Sequence, residues 1–332
     1  MASVQFDIYG VGHALVDLQY SITTETLVKL GVKKGVMSLI DNHQQAVLIE
    51  QIDRQPIESS SGGSAANTMI GVTMLGGKTF YSCLTGEDQM GRFYQEDLLK
   101  AGVKTSKSHR AEGNTGQCLV FITPDADRTL LTSLGVSETI STDQIDEDRI
   151  AESSYIYLEG YLLSSQNGFD ACVKAQKIAK KHKKKVSITL SDPFMVSSFR
   201  DRFSQILNNG VDLLFCNEQE AMSLTNEPHR EKAAIALSEI AQTSYITCGA
   251  DGALLVHDEK LNKIDGVKAQ AIDTNGAGDM FAGGVLYGLT HSFDVNQSGF
   301  IGCYAAAQIV QQYGPRLKKP LEDPEKILAR KN

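Results

Sequence analysis

The sequence predicts an α/β fold: a central, mostly parallel sheet with helices on both faces, hence a three-layer αβα arrangement, and a small β insertion. Short β-rich runs alternate with amphipathic stretches over most of the 332 residues. Glycines close many of those runs. One hairpin late in the first half breaks the alternation.

Phe6 to Val11 is a buried strand closed by Gly12, being too short and too β-rich for a helix. LVDLQYSI (15–22) and GVMSLI (35–40) are two further strand-like pieces, and the serine-rich stretch Glu58 to Ser61, leading to Gly62 and Gly63, reads as irregular. From Ser64 the apolar spacing turns helical, with Ser64 as the expected cap and Gly76 as the stop. Lys78 to Leu84 is strand-like, and an amphipathic helix follows, closed by Gly102. Gln117 to Thr123 and Arg128 to Ser133 form a hairpin, joined by turn chemistry at Pro124-Asp125-Ala126-Asp127. Beyond it come strand Tyr155 to Leu158, helix Gly168 to Lys181, strand Val186 to Leu190, a helix near Phe199 to Leu207 and strand Asp212 to Cys216. The tail after Gly314, with Pro315, Pro320 and Pro324, reads as loosely attached.

Thirty-two Lys and Arg against 40 Asp and Glu leave a net charge of −8, which speaks against a nucleic-acid partner. The basic run Lys180 to Lys185 falls where a helix should end, and cations there oppose the helix dipole by about 0.3 to 1 kcal/mol each. Six widely spaced cysteines include no CxxC pair, so buried thiols are expected rather than a zinc or redox site. The opening residues lack a signal-peptide pattern, and no uncharged stretch approaches the roughly 20 residues that span a bilayer. No membrane partner is therefore expected, and the cytoplasm is the expected address.

The most informative segment is Ala271 to Gly284, where a strand-like lead enters the turn Asp273-Thr274-Asn275-Gly276-Ala277-Gly278-Asp279 and a helix runs on to about Leu289. Free amides at a helix start, approached through glycines, make an anion site. A carboxylate at Asp279 would repel that anion unless it had work to do, and general base for a hydroxyl attacking a phosphoryl group is the natural task. The competing explanation is a capping acid on a tight turn. Two glycines framing a small residue, with an acid on each side, favour function. Neither a GxxxxGK[ST] loop nor a GxGxxG dinucleotide turn is present, so backbone and metal must balance most of the charge.

Asn217-Glu218-Gln219-Glu220 follows a strand at its carboxyl end, where open α/β sheets place ligands. Asn217 and Glu220 could hold Mg²⁺ through water, and plain helix capping is the competing explanation. Asp17, together with Gly62, Gly63 and Asn67 at the start of a helix, could bind neighbouring hydroxyls of a sugar.

GGSAAN (62–67) and DTNGAGDMFAGG (273–284) resemble the two signatures of the PfkB/ribokinase family of small-molecule kinases, and the resemblance covers nearly the whole chain. Between them, Gly86 to Gly91 resembles the family's GxDxxG, NEQE its metal-associated NxxE, and Thr247 to Gly252 its nucleotide-side loop. The resemblance implies a ribokinase-like fold in one domain, with a lid from about 14–58 and 114–134 that closes over the acceptor. It makes Asp279 the base and Gly276, Ala277 and Gly278 the anion hole. Asp17, Gly63 and Asn67 become hydroxyl ligands, Thr247, Gly249, Gly252 and Asn275 the nucleotide side, and Arg128 a residue reaching the transferring phosphate.

Within the family, Asn275 and the segment Thr115 to Cys118 are similar to the adenosine kinase branch. Tyr161 and Phe194 fall where aromatics sandwich the purine, an arrangement worth roughly 1 to 3 kcal/mol. Their competing explanation is ordinary core. His13 departs from the branch, which carries Asn there. The expected activity is ATP- and Mg²⁺-dependent phosphorylation of a ribosyl 5′-hydroxyl, adenosine first, with a pentose or hexose as runner-up acceptor. A silent nucleoside sensor is the non-enzyme alternative, against which the intact Asp279 speaks. Open lid edges would allow a monomer or a homodimer.

Overall fold

The computed structural model describes residues 4–52, 54–125 and 127–330, so Ala126 of the predicted turn lies outside the described residues. Nine strands form the main sheet, ordered Lys260–Ile264, Ala253–His257, Ala241–Thr247, Val211–Asn217, Lys185–Thr189, Ser153–Glu159, Phe6–Val11, Thr79–Ser82 and Lys104–Thr105. Among the described residues only the strand Ala253–His257 runs opposite in direction to the rest of this sheet. Helices cover both faces and create two apolar cores, one centred on Ile156, Ile188 and Leu214, the other on Met69, Tyr157 and Leu286. The three-layer αβα expectation holds.

A second, five-stranded sheet is ordered Met37–Leu39, Arg128–Ser133, Gly116–Ile122, Leu15–Ser21 and Glu58–Gly62. The predicted hairpin is present, pairing Arg128 with Ile122 through to Ser133 with Gln117. Glu58–Gly62 corrects the irregular reading, because it is a strand running antiparallel to Leu15–Ser21, with Ser60 opposite Asp17 and Gly62 opposite Leu15. Serines carry no hydrophobic alternation, so the pairing left no trace in the pattern.

Three further expectations change. Ser64 begins the helix Ser64–Met74 but does not cap it; Gly63, at φ 99°, occupies the cap position. The lead into the Asp273–Asp279 turn is not a strand, since the sheet ends at Ile264 and the amides of Ile272 and Asp273 both donate to the Val310 carbonyl. The tail is not loose: Ile327, in the helix Pro324–Ala329, is wholly buried in the second core. The basic run does begin in the last turn of a helix, Gln166–Lys181, and there Lys181 and His182 meet Glu147 while Lys185 in the next strand meets Asp212.

Truncating Ile327 to Ala should cost about 2 to 5 kcal/mol of unfolding free energy, as for other buried aliphatic side chains. Urea denaturation reads this directly, and a loss below about 0.5 kcal/mol would restore the loose-tail description.

Candidate active site

A cleft of about 1170 Å³ opens at the carboxyl ends of the parallel strands and is walled on one side by the second sheet. His13, Asp17, Gly63, Asn67, Cys118, Tyr161 and Phe194 line it, as do Asn217, Glu220, Thr247 and the whole segment Asn275 to Asp279. Four predicted residues do not line it. Gly62 packs on Asp17, where a Cβ would stand 2.5 Å from the carboxylate. Gly252, at φ 92°, lies against the Ile264 carbonyl, and Gly249 shapes the same turn at φ 57°. Arg128 is buried, and its Nη2 stands 3.1 Å from Asp273 in the turn that precedes the last large helix pair.

The helix Ala277–Thr290 starts from Gly276 in the left-handed region at φ 77°. Its Ala277 amide is taken by the Thr274 carbonyl at 3.2 Å, which corrects the expected three-amide cradle. The amides of Gly276, Gly278 and Asp279 bond no group among the described residues. A Cβ on Gly278 would meet nothing within 4 Å, so the space beside that backbone belongs to the cleft.

Asp279 is half-buried and does not cap its helix. Its carboxylate accepts from Ser64 Oγ at 2.6 Å and Asn67 Nδ2 at 3.1 Å, across a separation of more than 200 residues. Burial pushes its carboxyl up to about 7, against the opposing pull of those two hydrogen bonds. Asp17 is also pushed up to about 7 by burial, although the cations Arg316 and Arg128 act in the opposite direction. Two such carboxyls on one cleft are a pattern typical of functional sites.

Asn217 and Glu220 form a capping box. Asn217 Oδ1 accepts from the Glu220 amide at 2.8 Å, and the Glu220 carboxylate accepts from the Asn217 amide at 3.1 Å and Asn217 Nδ2 at 2.6 Å. Capping therefore accounts for their mutual geometry. Glu220 still lines the cleft, and burial pushes it up to about 7, so a hydrated divalent cation beside it fits the donor set. Among the described residues no group of three or more His, Cys, Asp or Glu is placed to enclose a metal directly. Phe194 is 66% exposed, which removes ordinary core as its explanation; Tyr161 is partly buried, its hydroxyl donating to the Ser191 carbonyl.

Three residues that matter here were not named as site residues from the sequence. Glu159, at the carboxyl end of its strand, accepts from the Ala65 amide at 2.9 Å and stands 3.2 Å from His13 Nδ1. Ser64 supplies the shorter bond to Asp279. Arg316 pairs with Asp97 at 2.6 Å and donates to Ser61. Only Glu159 had a signal, as an acid ending a parallel strand. Asp88, in the GEDQMG motif, caps the next helix and holds Thr115; it does not line the cleft.

A half-buried carboxylate beside free helix-start amides, in a cleft above a parallel sheet, is an arrangement suited to group transfer onto a hydroxyl. Residues 27–322 match the pfkB family carbohydrate kinase model, and the chain belongs to that family. Adenosine kinase of Saccharomyces cerevisiae is 29% identical over 328 residues, covering 92% of this chain and 95% of the yeast protein. Adenosine kinase of Sinorhizobium meliloti superposes with a TM-score of 0.87 at 30% identity, covering 99% and 100% of the two chains. A probable sugar kinase of Rhizobium etli gives 0.88 at 30% identity, covering 99% of each. The chain is a phosphotransferase with an alcohol group as acceptor. Among the described residues no helix is long and apolar enough to cross a membrane.

The raised carboxyl at Asp279 carries a definite sign. Its folded value of about 7 exceeds the ordinary value, so its protonated form supports the fold at low pH, and that support is lost as pH rises through 7. Asp279→Asn should therefore be more stable than the parent at about pH 8, with the difference shrinking toward about pH 4. Asn67 can turn its unpartnered Oδ1 toward the new amide. Urea unfolding across that range checks this; a variant less stable at every pH would show that the hydrogen bonds outweigh the charge.

Proposed function

We propose that this chain transfers the γ-phosphoryl of ATP to the 5′-hydroxyl of a nucleoside, with adenosine as first acceptor and AMP as product. The observation that carries the nucleoside assignment is the apolar wall of the cleft. Met37, Leu39, Leu130 and Leu134 line it together with the polar group Asp17, Asn67 and Asp279. A free sugar has only the polar half to meet, whereas a nucleoside meets both. Tyr161 and the exposed Phe194 add aromatic surface on which a purine could stack.

In the proposed step, Asp17 and Asn67 hold the ribose hydroxyls and the 5′-hydroxyl stands beside Asp279. Asp279 takes the hydroxyl proton as the oxygen attacks the γ-phosphorus in line. A new P–O bond forms, the bond to the β-bridging oxygen breaks, and ADP leaves. The free amides of Gly276 and Gly278 stabilise the charge spread over the migrating group. Mg²⁺, held through water by Asn217 and Glu220, would supply further positive charge beside the phosphates. Asn275 and Thr247 would face the nucleotide, and Arg128 would reach the phosphate on leaving Asp273. The second sheet, from about Ala14 to Glu58 and Asn114 to Leu134, would serve as the lid that excludes water.

Asp279→Ala should lower kcat by about 10²-fold or more while adenosine affinity changes little, because removing a general base acts on the transition state. Equal losses in turnover and affinity would make Asp279 structural. On a panel of adenosine, inosine, ribose and fructose, adenosine should give the highest kcat/KM. A sugar ranking first would transfer the assignment to that sugar, and no product with any acceptor would leave a binding protein.

A further inference from the structure

The short segment Gly314 to Arg316 crosses the active site and touches both of its halves. On one side, the Gly314 amide donates to Asp273 Oδ2 at 2.8 Å, and Pro315 lies so close to Gly276 that a Cβ there would stand 2.9 Å from the Pro315 α-carbon. These contacts hold the turn that carries the free amides. On the other side, Arg316 Nη1 pairs with Asp97 Oδ2 at 2.6 Å, and Nη2 donates to the Ser61 carbonyl and hydroxyl. Asp97 Oδ2 also accepts from the Ser61 amide at 2.8 Å and its hydroxyl at 2.9 Å. Ser61 and Gly62 belong to the strand paired with Leu15–Ser21, so the network ends directly behind Asp17.

We infer that Gly314–Arg316 is a strap fixing the acceptor-binding strand to the phosphoryl-binding turn, and that Arg316 is its positioning residue, holding the strand behind Asp17 in place. The inference rests on the reaction proposed above. Three kinds of observation support it. Arg316 reaches two elements distant in sequence, the strand end at Ser61 and the helix Gln89–Lys100 that carries Asp97. Its planar fork matches a carboxylate and a carbonyl at once, which a lysine cannot reproduce. Finally, Asp17 is buried among groups of both signs. Arg316 from the strap and Arg128 from the hairpin favour its charge, Asp279 opposes it, and Tyr94 and Cys118 are its other titratable neighbours.

With Arg316 removed, Asp17 loses one of two cations and its carboxyl rises further. A protonated Asp17 accepts fewer hydroxyl hydrogen bonds, so acceptor binding should weaken most at lower pH. Adenosine affinity, measured by calorimetry without ATP between about pH 6 and 9, tests this independently of turnover. Arg316→Met should bind adenosine about tenfold more weakly at neutral pH, with the loss smaller at the alkaline end. Arg316→Lys, which keeps the charge but not the fork, should restore the parent's pH dependence with only part of its affinity. In an Asp17→Asn background, Arg316→Met should produce no pH-dependent loss. Thermal melts establish that each variant is folded.

An Arg316→Met protein with the parent's affinity and pH profile would overturn the strap while leaving the reaction standing. So would a loss uniform across pH that Lys fails to relieve. A folded parent that binds no adenosine would overturn the strap together with the nucleoside assignment, and Asp279→Ala turnover with the best acceptor of the panel would then judge the chemistry alone.

Discussion

Asp279 stands beside Ser64 and Asn67 because the helices that carry them can touch backbone to backbone. A Cβ on Gly283 would stand 2.9 Å from the Thr68 carbonyl and 3.2 Å from the Gly71 α-carbon. On the other flank, a Cβ on Gly284 would meet the Gly302 α-carbon at 2.8 Å. Any side chain at either position would push the helix Ala277–Thr290 away from Ser64–Met74 or from Val295–Ile309. The hydrogen bonds of 2.6 and 3.1 Å to the carboxylate would then be lost. Small residues in the FAGG run thus set the spacing on which the chemistry depends.

The same closeness makes the cleft electrostatically tense. Asp17, Glu220 and Asp279 are each pushed up to about 7, with burial as the leading cause in every case. Against them stand Arg128, held by Asp273, and Arg316, held by Asp97 and Ser61. A polyphosphate entering such a site cannot rely on a local lysine, and the free helix-start amides are the main-chain donors on offer. A cation arriving with the nucleotide would relieve the acids as well as the phosphates. That is why a water-held ion beside Glu220 suits the site although Asn217 already satisfies its carboxylate.

The sequence was most legible where residue chemistry is local. Strand Phe6–Val11, the hairpin at Arg128–Ser133 and the helix after Gly276 each carry a periodicity or a turn signal within ten or so residues. Asp279 and its glycines could be read because an acid beside an anion turn is chemically odd. The strand Glu58–Gly62 could not be read, because its pairing with Leu15–Ser21 is a property of two segments and its serines show no alternation. Arg316 and Glu159 were missed for the same reason: Asp97 and Ser61, or His13 and Ala65, become their partners only once the chain has folded. Pro315, one of the prolines that suggested a loose tail, instead packs against Gly276.

Burial pushes two carboxyl groups facing this cleft, Asp17 and Asp279, up to about 7, well above ordinary aspartates. Carbon-13 NMR of aspartate-labelled protein, with Asp17→Asn and Asp279→Asn to assign the signals, measures it without substrate or turnover. Two signals are expected, titrating as an interacting pair with midpoints near 7 and absent in turn from the two variants. Aspartate signals that all titrate below about 5 would contradict it, leaving both groups as ordinary solvated acids.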